Sequence, residues 1–156
     1  MRRKDREIKD INEIIDIMKR CDSCSIALFD DEYPYIVPVN FGFDCVKDKV
    51  TLYIHGAKAG KKLELINKNN KVAFDMSCNH KLITGEKACN YTMEYESVCG
   101  NGIVKIIEGD EKKASLQILM KQYTMKEDLE LDDKVINAVT VFKIDVCNIS
   151  GKRLKR

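Results

Sequence analysis

Apolar and polar positions alternate with period two along much of this chain. Val50, Leu52 and Ile54 fall on one face and Thr51, Tyr53 and His55 on the other, so 50–55 reads as a strand with one face in a core. The pattern returns at 72–77, where Val72, Phe74 and Met76 alternate with Ala73, Asp75 and Ser77. It returns again at 139–146, with Phe142, Ile144 and Val146 set against Lys143 and Asp145. Ser25 to Phe29 is a short apolar run, read as a buried strand, and Asp30-Asp31-Glu32 turns it into a second strand over 33–43. Tyr95 to Ile107 completes the strand-like segments.

Helical spacing appears in three places. Ile11, Ile14, Ile15 and Met18 follow a candidate N-cap, Asp10; Ala59, Leu63 and Ile66 fall at i, i+4 and i+7 and predict a helix over about 60–68; Leu116, Leu119, Met120 and Tyr123 follow Asp110. Residues 79–94 have no clear period and predict a long connection. Residues 125–134 read as acidic and irregular, 1–9 as a charged arm, and 151–156, GKRLKR, as a solvated basic end. About six strands, mostly in hairpins and flanked by helices, predict one domain over 1–156 that is mainly β, an antiparallel barrel or sandwich.

Two interruptions point to chemistry. Both prolines, Pro34 and Pro38, sit in the second strand, which predicts an edge or a departure from regular pairing near Val39 and Asn40. The other is Val50 to Asn67, VTLYIHGAKAGKKLELIN, where a strand breaks at a glycine-bounded turn and restarts as a helix. Lys58, Lys61 and Lys62 surround that helix start, where the dipole favours acids. An anion from outside, most simply a phosphate, would satisfy the unpaired N–H groups and the lysines together. A bare turn carrying surface lysines remains the competing reading. The stretch is not a Walker loop, since Leu63 follows Lys62, and it is not GxGxxG. Gly100 and Gly102 share one strand face, which predicts a close backbone contact, a flat ligand or a bend.

Composition narrows the classes. With 27 basic and 25 acidic residues, a net charge of +2 argues against a dedicated nucleic-acid binder. No apolar run approaches the length of a membrane-spanning helix, and MRRKDREIKD lacks the hydrophobic core of a secretory signal, so a cytoplasmic location is expected. The seven cysteines then read as free thiols. Cys21-x-x-Cys24 lacks the second pair a zinc site wants, and it follows a helix where a thioredoxin-like site would open one. No metal site is expected.

The blocks MRRKDREI, CDSCSIALFDDEYPYIVPVNFGF, LYIHGAKAGKKLELI, GEKACNYTMEYESVCGNG and ISGK occur in an order and spacing that resemble the flavin-nucleotide-binding proteins related to pyridoxamine phosphate oxidase. The resemblance is strongest to the nitroimidazole-resistance branch and covers nearly the whole chain. It implies an FMN-binding split barrel that dimerises, with FMN in clefts at the subunit interface. By the same resemblance Ala57, Lys58, Gly60, Lys61 and Lys62 match the phosphate turn, and Val37, Pro38, Val39 and Asn40 match the strand along the flavin ring. His55 matches the histidine proposed as reactive in that branch, and Tyr95, Ser97 and Val98 match a segment closing the site from the neighbouring subunit. The chain departs from the family in having Tyr91 where an aromatic Trp is common, and it has no Trp at all.

The function this implies is an FMN-dependent oxidoreductase that reduces a small electron-poor substrate, such as a nitro compound, with NAD(P)H as donor. Two alternatives stay open: a flavin carrier or sensor without turnover, and a haem-binding split barrel with His55 as axial ligand. His80 reads as a loop residue.

Overall fold

Burial follows the alternation read from the sequence: Val50, Leu52, Ile54, Val72, Phe74, Met76, Phe142 and Ile144 all point into one core. The computed structural model describes residues 3–126 and 129–155. Its strands are β1 (Glu7–Ile8), β2 (Cys24–Leu28), β3 (Tyr35–Val39), β4 (Phe41–Val46), β5 (Lys49–Ala57), β6 (Lys71–Ile83), β7 (Thr92–Ile107) and β8 (Val139–Leu154). The helices are α1 (Ile11–Arg20), α2 (Lys61–Lys68), α3 (Asp110–Lys121) and α4 (Asp133–Ala138).

All pairings are antiparallel, in the order β3-β2-β6-β7-β8-β5-β4, with β1 added to β8. The expected strand over 33–43 is therefore two strands. Asn40 alone separates β3 from β4, yet they stand at opposite ends of the sheet. A sheet whose two edges meet within one residue must curl round on itself, and because β3 and β4 do not pair, it stays open along that seam. This is the split barrel that the family resemblance implied, mainly β with flanking helices. Pro38 lies in β3, an edge strand, where a missing N–H is tolerated.

α1 is capped as expected, Asp10 Oδ1 accepting from the Asn12 N–H at 2.8 Å, and it buries Ile14, Ile17 and Met18. In α2 the buried pair is Leu65 and Ile66, with Leu63 half-buried and Ala59 exposed, so the apolar face is turned from the one the spacing predicted. Gly109 is the N-cap of α3, and Asp110 is its first residue. The turn after α3 ties the seam: the Phe41 N–H donates to the Tyr123 hydroxyl at 2.9 Å, and that hydroxyl donates to the Asp22 carbonyl at 3.1 Å. The first residue after Asn40 is thereby held in place.

Four expectations are corrected. Residues 79–94 form not one long connection but mostly strand: β6 continues to Ile83 and β7 begins at Thr92. Asn79 has φ 55° and the register shifts between Cys78 and Lys81; beyond that bulge His80, Lys81 and Leu82 are all exposed, so no alternation was required. Within 125–134, where 127 and 128 lie outside the described residues, α4 begins at Asp133. The basic end is no solvated tail, because Gly151 to Leu154 pair with β7. Glu7 and Ile8 of the charged arm pair with Lys152 and Gly151, and Ile8 is buried. The charge in this end is met from far away, since Arg153 binds Glu96 and Glu13. Residues 1, 2 and 156 of those two segments lie outside the described residues.

Gly100 and Gly102 both lie in close contact with β8, the close-backbone alternative of the sequence reading. A Cβ on Gly100 would stand 2.6 Å from the Asn148 carbonyl oxygen and would strike the Phe74 ring.

Candidate functional site

The ladder between β4 and β5 ends at the pair Phe41 and Ile54. β5 runs on through His55, Gly56 and Ala57, which pair only with Val141, Thr140 and Val139 of β8. Their other edge faces the seam. β3 pairs only with β2, so its outer edge faces the seam as well. Past Ala57 the chain turns through Gly60, at φ 121°, and enters α2 at Lys61. One corner thus gathers the free edge of β3, the free end of β5 and the start of a helix.

Side chains join these pieces. Lys61 Nζ lies 2.5 Å from Asp30 Oδ2 in the β2–β3 connection and 5.3 Å from the centroid of the Tyr35 ring. Lys62 turns inward, its Nζ donating to the His55 carbonyl at 3.2 Å and lying 5.5 Å from the Phe142 centroid. Burial lowers its pKa. Lys58 is exposed and has no ion-pair partner among the described residues. The three lysines that the sequence grouped are therefore in three different situations. Asp30 and Tyr35 belong to the corner and were missed, since each read locally as a turn or strand residue.

His55 Nδ1 is buried and has no hydrogen-bond partner among the described residues. Burial first, and the charge of Lys62 second, lower the imidazole below its ordinary 6.5. The ring is therefore neutral near pH 7. A histidine with a depressed folded pKa binds its proton more weakly folded than unfolded. Its stabilising contribution is complete above the unfolded pKa and is lost as pH falls through the folded one. Stability should fall as the pH drops below the ordinary imidazole value of about 6.5 and through the depressed folded one, and less steeply in His55→Gln, as urea midpoints at each pH will measure.

The expected ring-side residues divide. Val37 is half-buried, Val39 packs in the core, and Pro38 and Asn40 are exposed. Ala57 is exposed beside the turn. Tyr95, Ser97 and Val98 lie on β7, which β2 and β6 separate from β3 and β8 separates from β5, so one chain does not bring them to the corner. Val98 is fully buried in the core. Tyr95 is half-buried, its phenol held below the usual range by a hydrogen bond from Lys152.

The profile of the pyridoxamine 5'-phosphate oxidase family matches residues 10–153. The chain belongs to that family. A candidate 5-nitroimidazole antibiotic resistance protein of Bacteroides thetaiotaomicron is 35% identical over 94% of this chain and 86% of its own, with a TM-score of 0.81. The FAD and haem binding protein of Mycobacterium smegmatis is 19% identical over 97% of this chain and 74% of its own, at a TM-score of 0.82. A flavocytochrome of Azotobacter vinelandii is 18% identical over 96% of this chain and 70% of its own, at 0.78. The last two share the fold. No curated protein matches the chain.

This family member carries no metal cluster among its described residues, and no described helix is long and apolar enough to cross a membrane. Cys21, Cys24 and Cys78 are buried, Cys45 is half-buried, and Cys89, Cys99 and Cys147 are exposed. Burial pushes the Cys24 thiol up to about 12 and raises Cys21 as well. Burial and a hydrogen bond to Asp75 push Cys99 to about 12. Thiol-reactive disulfides should modify Cys89 and Cys147 quickly in native protein, Cys99 slowly, and Cys21, Cys24 and Cys78 only on unfolding. Time-resolved labelling with peptide mapping will check that order.

Proposed function

We propose that this protein binds FMN and passes electrons or hydride from NAD(P)H to a small electron-poor substrate, with nitroimidazole-type nitro compounds as the class to test first. The seam corner carries this reading. A flavin mononucleotide asks for an anion site, an apolar wall and a polar atom beside its ring. At Gly60 nothing lies within 4 Å of where a Cβ would be, so the mouth of α2 is open. The first N–H groups of that helix, with Lys58 and Lys61, can receive a phosphate. Val37 forms the wall, and the free backbone edge of β3 offers N–H and C=O groups beside it. His55 Nδ1 is a buried polar atom that lacks a partner among the described residues. The residues present fit the group.

A bound flavin would supply the redox chemistry. The chain would do the rest. Lys58 and Lys61 hold the phosphate, and the β3 edge orients the ring. The neutral imidazole of His55 can accept or release a proton at Nδ1 next to substrate. The placement of Tyr95 and Ser97 away from the corner supports a homodimer in which a second copy supplies them. The free cysteines support a cytoplasmic location. The nitroimidazole class follows from the 35% identical relative.

Purified protein should be yellow and release FMN, not FAD, on denaturation. Colourless protein that ignores both flavins refutes the reading. Anaerobic NADH or NADPH should bleach the band near 450 nm (about where oxidised flavins absorb); bound flavin that no donor bleaches assigns a carrier or sensor instead. A half-buried, neutral imidazole whose Nδ1 lacks a partner among the described residues also suits an axial ligand, which favours haem as the second reading. A Soret band on haem titration, lost in His55→Ala, would establish it.

A further inference from the structure

The anion at the phosphate corner of this structure belongs to the protein itself. Asp30 is the second residue past the end of β2. Its Oδ2 is 2.5 Å from Lys61 Nζ, and its Oδ1 accepts the Asp31 N–H at 3.0 Å. Both carboxylate oxygens are thus engaged, and the rotamer that reaches Lys61 is fixed from its own turn. The Asp30 side chain is 20% exposed against 53% for Lys61, so the carboxylate is the better enclosed member of the pair. Lys61 is the first residue of α2, where the helix dipole disfavours a cation. A carboxylate beside it offsets that cost, as a bound phosphate would.

We propose that Asp30 stands in for the phosphate in the free protein, holding Lys61 until a dianionic phosphate displaces it. This rests on the flavin reading above and gives the same site a selecting residue. The physical reason is charge. A carboxylate and a phosphate dianion within reach of one ammonium repel each other, so one of them leaves. Asp30 accepts from none of the α2 N–H groups, whereas a phosphate has oxygens for both those groups and the lysine. The exchange therefore favours a doubly charged tail. A flavin without a phosphate offers nothing in return and leaves the pair closed. The segment carrying Asp30 can yield, since Phe29 and Tyr33 on either side of it are 61% and 76% exposed and hold it lightly.

The test is titration of wild type, Asp30→Asn and Asp30→Ser with FMN and with riboflavin, followed by flavin fluorescence. Both variants should bind FMN about two- to fivefold more tightly, the range a partly exposed ion pair is worth, with riboflavin unchanged. In a Lys61→Met background the gain should vanish, because there is then no pair to break. FMN affinity that stays level or drops in both variants overturns the inference while the flavin reading stands. An equal gain for riboflavin overturns it too, since the effect would be steric and not one of charge. Wild-type protein that binds neither flavin overturns the flavin reading, and this inference with it.

Discussion

Replacing Lys58 and Lys61 together with glutamate should weaken FMN binding by about a hundredfold to ten-thousandfold. Each lysine makes a charge-assisted contact worth roughly 1.5–3 kcal/mol, so losing two removes roughly 3–6 kcal/mol, and each 1.4 kcal/mol is tenfold. Reversal adds repulsion between the new carboxylates and the phosphate. The fold should survive, because Lys58 is exposed and the Lys61 side chain is 53% exposed. Riboflavin affinity should move far less, since the ring contacts are untouched. Equilibrium dialysis against both flavins, with circular dichroism to confirm folding, measures this. A double variant that keeps wild-type FMN affinity would put the phosphate somewhere other than the α2 corner.

The second large effect is expected at Phe142. Its ring is fully buried on β8, opposite Ile54 on β5 and Ile106 on β7. Phe142→Ala should lower the free energy of unfolding by about 3–5 kcal/mol, the lost transfer energy plus a cavity that a sheet interior cannot collapse. That is a large share of the roughly 5–15 kcal/mol such a domain has. Urea unfolding with an unchanged slope should report it as a fall in midpoint. Phe142 also lies beneath the Lys62 ammonium, so the variant should free that side chain from the His55 carbonyl. A core mutation and a site mutation are here the same mutation. Phe142→Leu, which fills most of the volume, should cost less and separate the two consequences.

Much of the site was legible because its signals are local. Strand, glycine turn and helix are neighbours in the chain, and Gly60, Lys61 and Lys62 stand where the spacing put them. His55 sits on the half-exposed face of β5, as alternation required. What each charge does was not legible. Lys61 meets Asp30, which is far away in sequence and looked like an ordinary turn acid. Lys62 was grouped with its neighbour, but one residue of helix rotation carries it inward over Phe142. Arg153 looked like a tail residue because Glu96, which binds it, belongs to another strand.

Period-two alternation by itself determined that the chain is mainly β, since a pleated strand must put alternate side chains on opposite faces. It also placed the core faces of β5, β6 and β8. Pairing partners were beyond it, because hydrogen-bonding groups are the same on every strand and carry no address. Only the tertiary structure divided residues 33–43 at Asn40, sent the halves to opposite edges of one sheet, and so opened the seam. The candidate site exists because two edges distant in the ladder are adjacent in the chain, which curls the sheet round and leaves an open seam between them.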